Sequence, residues 1–429
     1  FVNKKDNISE LITNYANLSN PEDNFLPIIT KIPVTGKVLD AEDIHNAIDA
    51  CLDAWLTSGE YQDKFEKAIS NYLNTRHTLM VNSGSSANLL ALTGLKILNN
   101  LQDGDEVITC SVGFPTTINP IIQNGLVPVL IDVDLNTLNI LPELVENSIT
   151  KKTKGIVIAH TLGNPFQLDH IKKICETYNL FLMEDNCDAF SSKYGDDFTG
   201  TFGDVSTLSF YPAHHITTGE GGAVCTSNTK LKKILESLRD WGRDCYCPPG
   251  KDNTCKKRYD WQLGGLPQGY DHKYIYSNIG YNLKATDMQA AIGLSQIQKL
   301  DQFREKRIQN FNYLYENFSD IKSFNLVESY EKSSPSWFGF PVTLNKKAKY
   351  SRLELIKFYD EKNIGTRLLF GGNISLQPAY EDIKFKIPYE LNNSDIVMNN
   401  SFWLGVYPGL STEMLDFVIK STKEFISQH

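Results

Sequence analysis

Along the chain, apolar residues fall into two alternating rhythms. Between Asp40, a helix-capping residue type, and Gly59, a helix-ending one, Ile44, Ile48, Leu52, Trp55 and Leu56 recur at helical spacing, and a second helix is predicted over 60–74. Short apolar runs then alternate with helical patterns: TLMVN (78–82), a helix from Ser85, EVITC (106–110), a helix near 116–124, PVLIDV (128–133) and GIVIAH (155–160). A helix over 168–178 leads into FLMEDN (181–186), followed by DVSTLSFY (204–211), GGAVCT (221–226) and a helix from Thr229 to Trp241. Strand-length apolar runs separated by helices mark βαβ units, so an α/β fold around a mostly parallel sheet is predicted.

The rhythm breaks at 243–272, which holds three cysteines, Pro248-Pro249-Gly250 and no sustained period; this predicts a long functional or metal-organised loop. A helical pattern over 285–318, a strand over 337–344 and helices over 351–362 and 412–427 predict a smaller α+β unit. The resulting partition is an N-terminal extension over 1–36, polar and broken by Pro21, Pro27 and Pro33, a large domain over 37–284 that includes the loop, and the long helix with a small C-terminal domain over 285–429.

Composition narrows the class. The 429 residues are 41% hydrophobic and 22% charged, which excludes a disordered or coiled-coil chain. The 42 Lys+Arg against 51 Asp+Glu give a net charge of −9, and no polybasic run suggests nucleic acid or an anionic membrane as partner. With no apolar run of membrane-spanning length and no signal-peptide core in Phe1-Val2-Asn3-Lys4-Lys5-Asp6, a cytoplasmic protein is expected. Eight cysteines in that compartment point to reduced, catalytic or metal-bound thiols. Cys51, Cys110, Cys175 and Cys225 fall in helix or strand patterns and read as small buried hydrophobes.

Three segments carry chemistry. At Asn82-Ser83-Gly84-Ser85-Ser86-Ala87-Asn88 a strand runs into a helix through glycine and hydroxyl residues, a setting suited to a phosphate, although the same residues make ordinary caps. Glu184-Asp185-Asn186-Cys187-Asp188 ends an apolar strand in carboxylates, where α/β sheets place ligands, and an Asp there can pair with a protonated pyridine nitrogen. The segment from Ser209 through Tyr211, His214 and His215 to Gly222 ends another strand in a polar, glycine-rich turn. Phosphate cradle, pyridinium partner and reactive residue together suggest pyridoxal phosphate.

These segments resemble those of the sugar aminotransferases of the DegT/DnrJ/EryC1/StrS type, from about Gly36 to the C-terminus. The resemblance is carried by SGSSANLLAL, the Asp of EDN, SFYPAHHITTGEGGAV and GYNLKATDMQAAIGLSQIQKL at 280–300. It implies the type I aminotransferase fold, with a mostly parallel seven-stranded sheet in the large domain and a smaller C-terminal α+β domain. One position departs: five residues before the first Gly of GEGG the family carries the lysine that forms the internal imine, and here stands His214. A histidine cannot hold the cofactor as an imine, but it can move a proton near neutral pH.

With that histidine the chain resembles the family's sugar 3-dehydrases, which use pyridoxamine 5′-phosphate (PMP) to remove a C3 hydroxyl. One kind acts on a GDP-sugar without metal. The other acts on a CDP-sugar, carries a [2Fe–2S] cluster and takes electrons from an NADH-dependent flavin/iron–sulfur reductase. Cys187, Cys245, Cys247 and Cys255, spaced C-x57-C-x-C-x7-C, resemble the cluster pattern of the second kind, whereas zinc sites favour paired knuckles.

The same resemblance implies the roles of individual residues. Asp185 would keep the pyridinium protonated, His214 would take the proton from the cofactor C4′ carbon, and Phe114 would stack on the ring. Gly84, Ser85, Ser86 and Ser209 would contact the phosphate, Asn164 would approach the ring, and Asn282 would be lent by the neighbouring subunit of a homodimer. Tyr211, His215 and Arg367 are site neighbours not separable from packing. If the strand stays extended beyond Asp185, Cys187 leaves it on the same side and places a cluster roughly 10 Å from the ring. Arg243, Lys251, Lys256, Lys257 and Arg258 flank the loop cysteines, where they could offset a negative cluster or dock an electron donor.

Overall fold

The computed structural model describes residues 8, 10–14, 25–247 and 250–429, so much of the expected N-terminal extension and Pro248-Pro249 lie outside the described residues. The apolar runs form a seven-stranded sheet: β1 (His77–Val81), β2 (Glu106–Cys110), β3 (Val127–Ile131), β4 (Thr153–Ala159), β5 (Phe181–Asp185), β6 (Val205–Ser209) and β7 (Gly222–Thr226), in the order β1-β7-β6-β5-β4-β2-β3. Only β7 runs antiparallel to its neighbours; the other pairs are parallel. Strands β2, β5, β6 and β7 are buried along their whole length. That fits continuous apolar runs covered on both faces. The covering helices include α3 (Gly84–Leu98), α4 (Pro115–Gln123), α5 (Leu168–Tyr178) and α6 (Thr229–Arg239).

Because β7 is reversed, its first residue, Gly222, pairs both Ser209 at the end of β6 and Val81 at the end of β1. The ends of β1, β5 and β6 and the start of β7 therefore open on one side of the sheet, where crossovers leave room for a ligand.

Two helix expectations are corrected. Asp40 does cap the first helix, α1 (Ala41–Leu52), accepting from the Glu42 and Asp43 N–H groups. The helix stops at Leu52 rather than near Gly59, because Ala54 takes a left-handed conformation (φ 57°) and Trp55 Nε1 donates to the Ser58 carbonyl at 2.8 Å. Gly59 instead precedes α2 (Glu60–Leu73) in extended backbone; a Cβ there would lie 2.7 Å from Asp287 Oδ2, so close approach is what selects glycine. The pattern over 285–318 divides into α7 (Asp287–Gln296), a 3₁₀ turn and α8 (Leu300–Phe318).

The C-terminal region carries a second sheet of β8 (Phe324–Leu326), β9 (Phe340–Leu344), β10 (Arg367–Leu368) and β11 (Ser401–Leu404), ordered β8-β9-β11-β10 and antiparallel throughout. Only β9 was legible, since segments of two to four residues are too short to show a period. Helices α9 (Arg352–Glu361) and α10 (Thr412–Ser427) cover it as expected. One core runs from Ile108, Ile156 and Leu182 in the large sheet to Phe340, Phe402 and Phe425. Each such aromatic or aliphatic side chain contributes about 1.5–3 kcal/mol of burial. No described helix is long and apolar enough to cross a membrane.

Candidate active site

The open side of the sheet forms a cup. Ser83 caps α3 by accepting from the Ser86 N–H at 3.0 Å, and helix geometry leaves the Gly84 and Ser85 N–H groups outside the intrahelical ladder. A Cβ at Gly84 would lie 2.6 Å from Ser209 Cβ and 3.2 Å from Cys187 Sγ, and one at Gly222 would lie 2.5 Å from the Ser83 carbonyl carbon. Gly84, Ser85, Ser86 and Ser209 are thus gathered around one helix N-terminus, a donor set that fits a phosphate.

Asp185 forms the floor. Alternation along β5 sends its neighbour Glu184 to the other face, where it accepts from the N–H groups of Gly200, Phe202 and Gly203 at 2.7–2.8 Å and is structural. Asp185 Oδ2 accepts from Asn88 Nδ2 (2.8 Å) and Thr117 Oγ1 (2.7 Å), and Oδ1 accepts from the Cys187 N–H (3.3 Å). Thr207 Oγ1 in turn donates to Asn88 Oδ1 at 2.6 Å, which fixes the amide orientation. Sequence reasoning missed Asn88, Thr117 and Thr207 as site residues. Asn88 lies one helical turn beyond Gly84, a spacing that could have found it, whereas Thr117 and Thr207 come from other elements.

His214 closes the cup. Its Nδ1 lies 3.5 Å from Asp188 Oδ1, its ring packs 5.1 Å from Phe338, and its backbone carbonyl accepts from Arg307 at 3.1 Å. Burial and the Arg307 guanidinium push the imidazole down to about 3, so it is neutral at physiological pH. Burial and the nearby Asp185 hold the Asp188 carboxyl well above its usual range, with Arg307 opposing. Arg307, only 1% exposed, also donates to the Trp337 and Phe338 carbonyls. Neither Asp188 nor Arg307 stood out in the sequence as part of the site. Phe114 stands at the start of α4, 53% exposed and edge-on to Phe370, and Tyr211, just after β6, is 51% exposed.

The remaining expected residues are spread more widely. Asn164 is fully buried, with Nδ2 donating to the Thr137 and Glu328 carbonyls (3.1 and 2.9 Å) and Oδ1 left without a partner among the described residues. Asn282 is exposed and bridges to Asp240. His215 is buried with Nε2 2.7 Å from the Ser336 carbonyl, and Arg367 is exposed on β10. Cys110, Cys175 and Cys225 are buried as expected, but Cys51 is exposed at the frayed end of α1.

A second constellation lies in the loop. Cys255 Sγ is 3.2 Å and Cys245 Sγ 3.9 Å from His272 Nε2, and the ligand atoms of Cys245, Cys247 and His272 all lie within 4.8 Å of one another. Burial alone would raise the Cys247 thiol, but hydrogen bonding with Thr254, the Cys255 backbone and the Cys255 and Cys245 side chains brings it to about 7. His272, buried with its ring centroid 4.6 Å from that of Trp261 and tilted to it by 32°, was not anticipated. Of the flanking cations, Arg258 is committed to a bidentate pair with Asp271 (2.6 and 2.9 Å).

Cys187 stands apart from this group. After Asp185 the chain turns into a 3₁₀ segment, Cys187–Ala189, instead of remaining extended, and Cys187 stays at the cup beside Gly84 and Ser209. Burial and Asp185 push its thiol well above the usual range.

Comparison with known proteins agrees with this architecture. The chain is 53% identical over 428 residues to the lipopolysaccharide biosynthesis protein RfbH of Salmonella typhimurium, covering 99% of this chain and 98% of that one. It is 49% identical over 428 residues to the dTDP-4-dehydro-2,6-dideoxy-D-glucose 3-dehydratase of Saccharopolyspora spinosa, covering 99% and 92%. The solved structure of E. coli GDP-4-keto-6-deoxy-D-mannose-3-dehydratase with bound hydrated PLP superposes with a TM-score of 0.83 at 27% identity, over 92% of this chain and 99% of that one. Residues 38–423 match one family over nearly the whole described fold. The chain belongs to the DegT/DnrJ/EryC1/StrS aminotransferase family and has the type I aminotransferase fold.

Proposed function

We propose that the protein is a PMP-dependent nucleotide-sugar 3-dehydrase acting on CDP-4-keto-6-deoxy-D-glucose in 3,6-dideoxyhexose biosynthesis. In this reading it is a cytoplasmic homodimer that carries a [2Fe–2S] cluster and receives electrons from an NADH-dependent flavin/iron–sulfur reductase. The observation that carries the reading is His214 at the position where an imine-forming lysine would stand, in an otherwise complete cup. The donors gathered at the start of α3 fit the phosphate of PMP, and Asp185, fixed by Asn88 and Thr117, fits a protonated ring nitrogen. When bound, PMP would supply the amine that condenses with a 4-keto sugar and a ring able to store the electrons released at C4′.

The chain's own residues do the rest. His214, neutral because it is buried beside Arg307, has a lone pair able to take a proton from C4′, with Asp188 Oδ1 3.5 Å from Nδ1. Asp185 keeps the ring nitrogen charged, so the developing charge has somewhere to go. Three thiols converging in the loop support the cluster-bearing kind; the likeness to the GDP-sugar 3-dehydratase structure favours a second reading, a cluster-free enzyme acting on GDP-4-keto-6-deoxymannose.

The test is PMP-dependent dehydration of the CDP- and GDP-4-keto-6-deoxy sugars by anaerobically purified protein, with and without reductase. The expected outcome is turnover of the CDP-sugar that needs the reductase and falls by about 10²–10⁴-fold in H214N while PMP binding persists. Reductase-independent turnover of the GDP-sugar by iron-free protein would establish the second reading, and unchanged dehydration in H214N would remove the role of His214.

A further inference from the structure

His214 stands in a turn after β6 that has no strand or helix of its own. Two walls hold its imidazole. One is that turn, and the other is the segment 336–338 that leads into β9. The Phe338 ring packs 5.1 Å from the His214 ring, and His215 Nε2 lies 2.7 Å from the Ser336 carbonyl. The second wall is itself anchored, because the Ser336 N–H donates to Ser192 Oγ and the Phe338 N–H to the Leu162 carbonyl, both at 2.8 Å.

A single side chain joins the two walls. From α8, Arg307 gives Nη2 to the His214 carbonyl at 3.1 Å and Nη1 to the Trp337 and Phe338 carbonyls at 3.2 and 3.4 Å. Asp188 is near enough to favour the guanidinium charge, but Arg307 forms no ion pair among the described residues. A buried charge satisfied by carbonyls alone costs stability that an apolar residue at the same place would not, so packing does not account for it. The planar fork sets the distance between the walls, which the point charge of a lysine does not do.

We propose that Arg307 is the positioning residue of His214: its guanidinium ties the backbone of the turn that carries the imidazole to the backbone of the segment on which that imidazole packs. This rests on His214 acting as the base in the cup. The charge of Arg307 works in the same direction. The groups facing His214 are Asp188 from the 3₁₀ segment after β5, Arg307 from α8, and the adjoining His215, which burial and Arg307 keep neutral. Of these, Arg307 disfavours a proton on the imidazole, with the Cys187 backbone opposing.

The experiment compares R307K and R307Q with wild type as PMP-loaded protein. Histidine labelled with ¹³C at Cε1 reports the imidazoles by NMR, with His214 assigned by the signal missing in H214N, and turnover of the CDP-sugar with reductase gives kcat and KM against pH. The ring proton at Cε1 senses the Phe338 ring, so a loosened clamp shows as a changed ring-current shift. R307K keeps the charge and loses the fork; it is expected to change that shift and to lower kcat by about 10–10²-fold at unchanged KM, because the base is no longer aimed. R307Q should do the same and also move the acid limb of kcat to higher pH by about 1–3 units.

Wild-type kcat in R307K, a loss carried by KM alone, or an unchanged His214 signal in both variants would overturn the positioning role. So would a wild-type His214 that titrates near its unfolded value of about 6.5, a result that does not depend on either Arg307 variant folding. Thermal unfolding with PMP bound reports whether each variant folds. Absence of turnover in wild type would instead remove the functional reading, and the NMR comparison would still decide the role of Arg307.

Discussion

The cup and the cysteine loop are built in opposite ways. Every polar group on the floor of the cup is fixed by a residue from another element: Asp185 by Asn88 and Thr117, Asn88 by Thr207, and the His214 backbone by Arg307. The strands beneath them are fully buried, so the geometry stands before any ligand arrives. Among the described residues the loop over 243–272 has no strand or long helix of its own, and its thiols lie among local turns and a tilted Trp261–His272 ring pair. A cup made by the fold supports positional chemistry, whereas a loop held by local turns has no such frame of its own.

That contrast can be broken at its strongest point first. Replacing Asp185 by Ala is expected to weaken PMP binding by about 3–5 kcal/mol, measured by equilibrium titration, because a ring charge loses its buried partner. Iron content should stay at the wild-type level, and a parallel loss of iron would show that the two regions are not independent.

Acid sharpens the contrast next. The His214 pKa in the folded protein, about 3, lies below its unfolded value near 6.5, so unfolding takes up a proton between them. This contribution is fully present above pH 6.5 and is lost as pH falls toward 3, by on the order of 5 kcal/mol in all and about 3 kcal/mol by pH 4. Urea unfolding from pH 7 to pH 4 should show a shallower loss of stability in H214N than in wild type; identical slopes would mean that the imidazole is not held neutral. The smallest effect is expected for N88A, which removes one of the two side-chain donors to Asp185 Oδ2 and should reduce the thermal shift given by saturating PMP, equivalent to about 1–3 kcal/mol. An unchanged shift would make Asn88 a packing residue.

What could be read in advance follows the same division. Seven strand-length apolar runs announced the large sheet because each is buried on both faces, and the motifs at its open end marked Gly84, Asp185, Ser209 and His214. Among the partners around them, Thr117, Thr207 and Arg307 were silent because only tertiary folding brings them there, whereas Asp188 stands in the same strand-end segment as Asp185 with nothing in its spacing to assign it a role. Trp55 and Leu56 kept helical spacing beyond a helix that a left-handed Ala54 had already ended. Spacing joined Cys187 to the loop cysteines, but it carries no information about Gly84 and Ser209, the neighbours Cys187 has in the fold.

At the outer edge of β1, Glu66 accepts from the Met80 N–H and Arg239 donates to the Met80 carbonyl; on the far side the Lys386 backbone pairs with β3, its carbonyl accepting from Leu130 and its N–H donating to Pro128. Part of each margin of the central sheet is thereby occupied by the chain's own groups, which shortens the bare edge on which a partly unfolded chain could template.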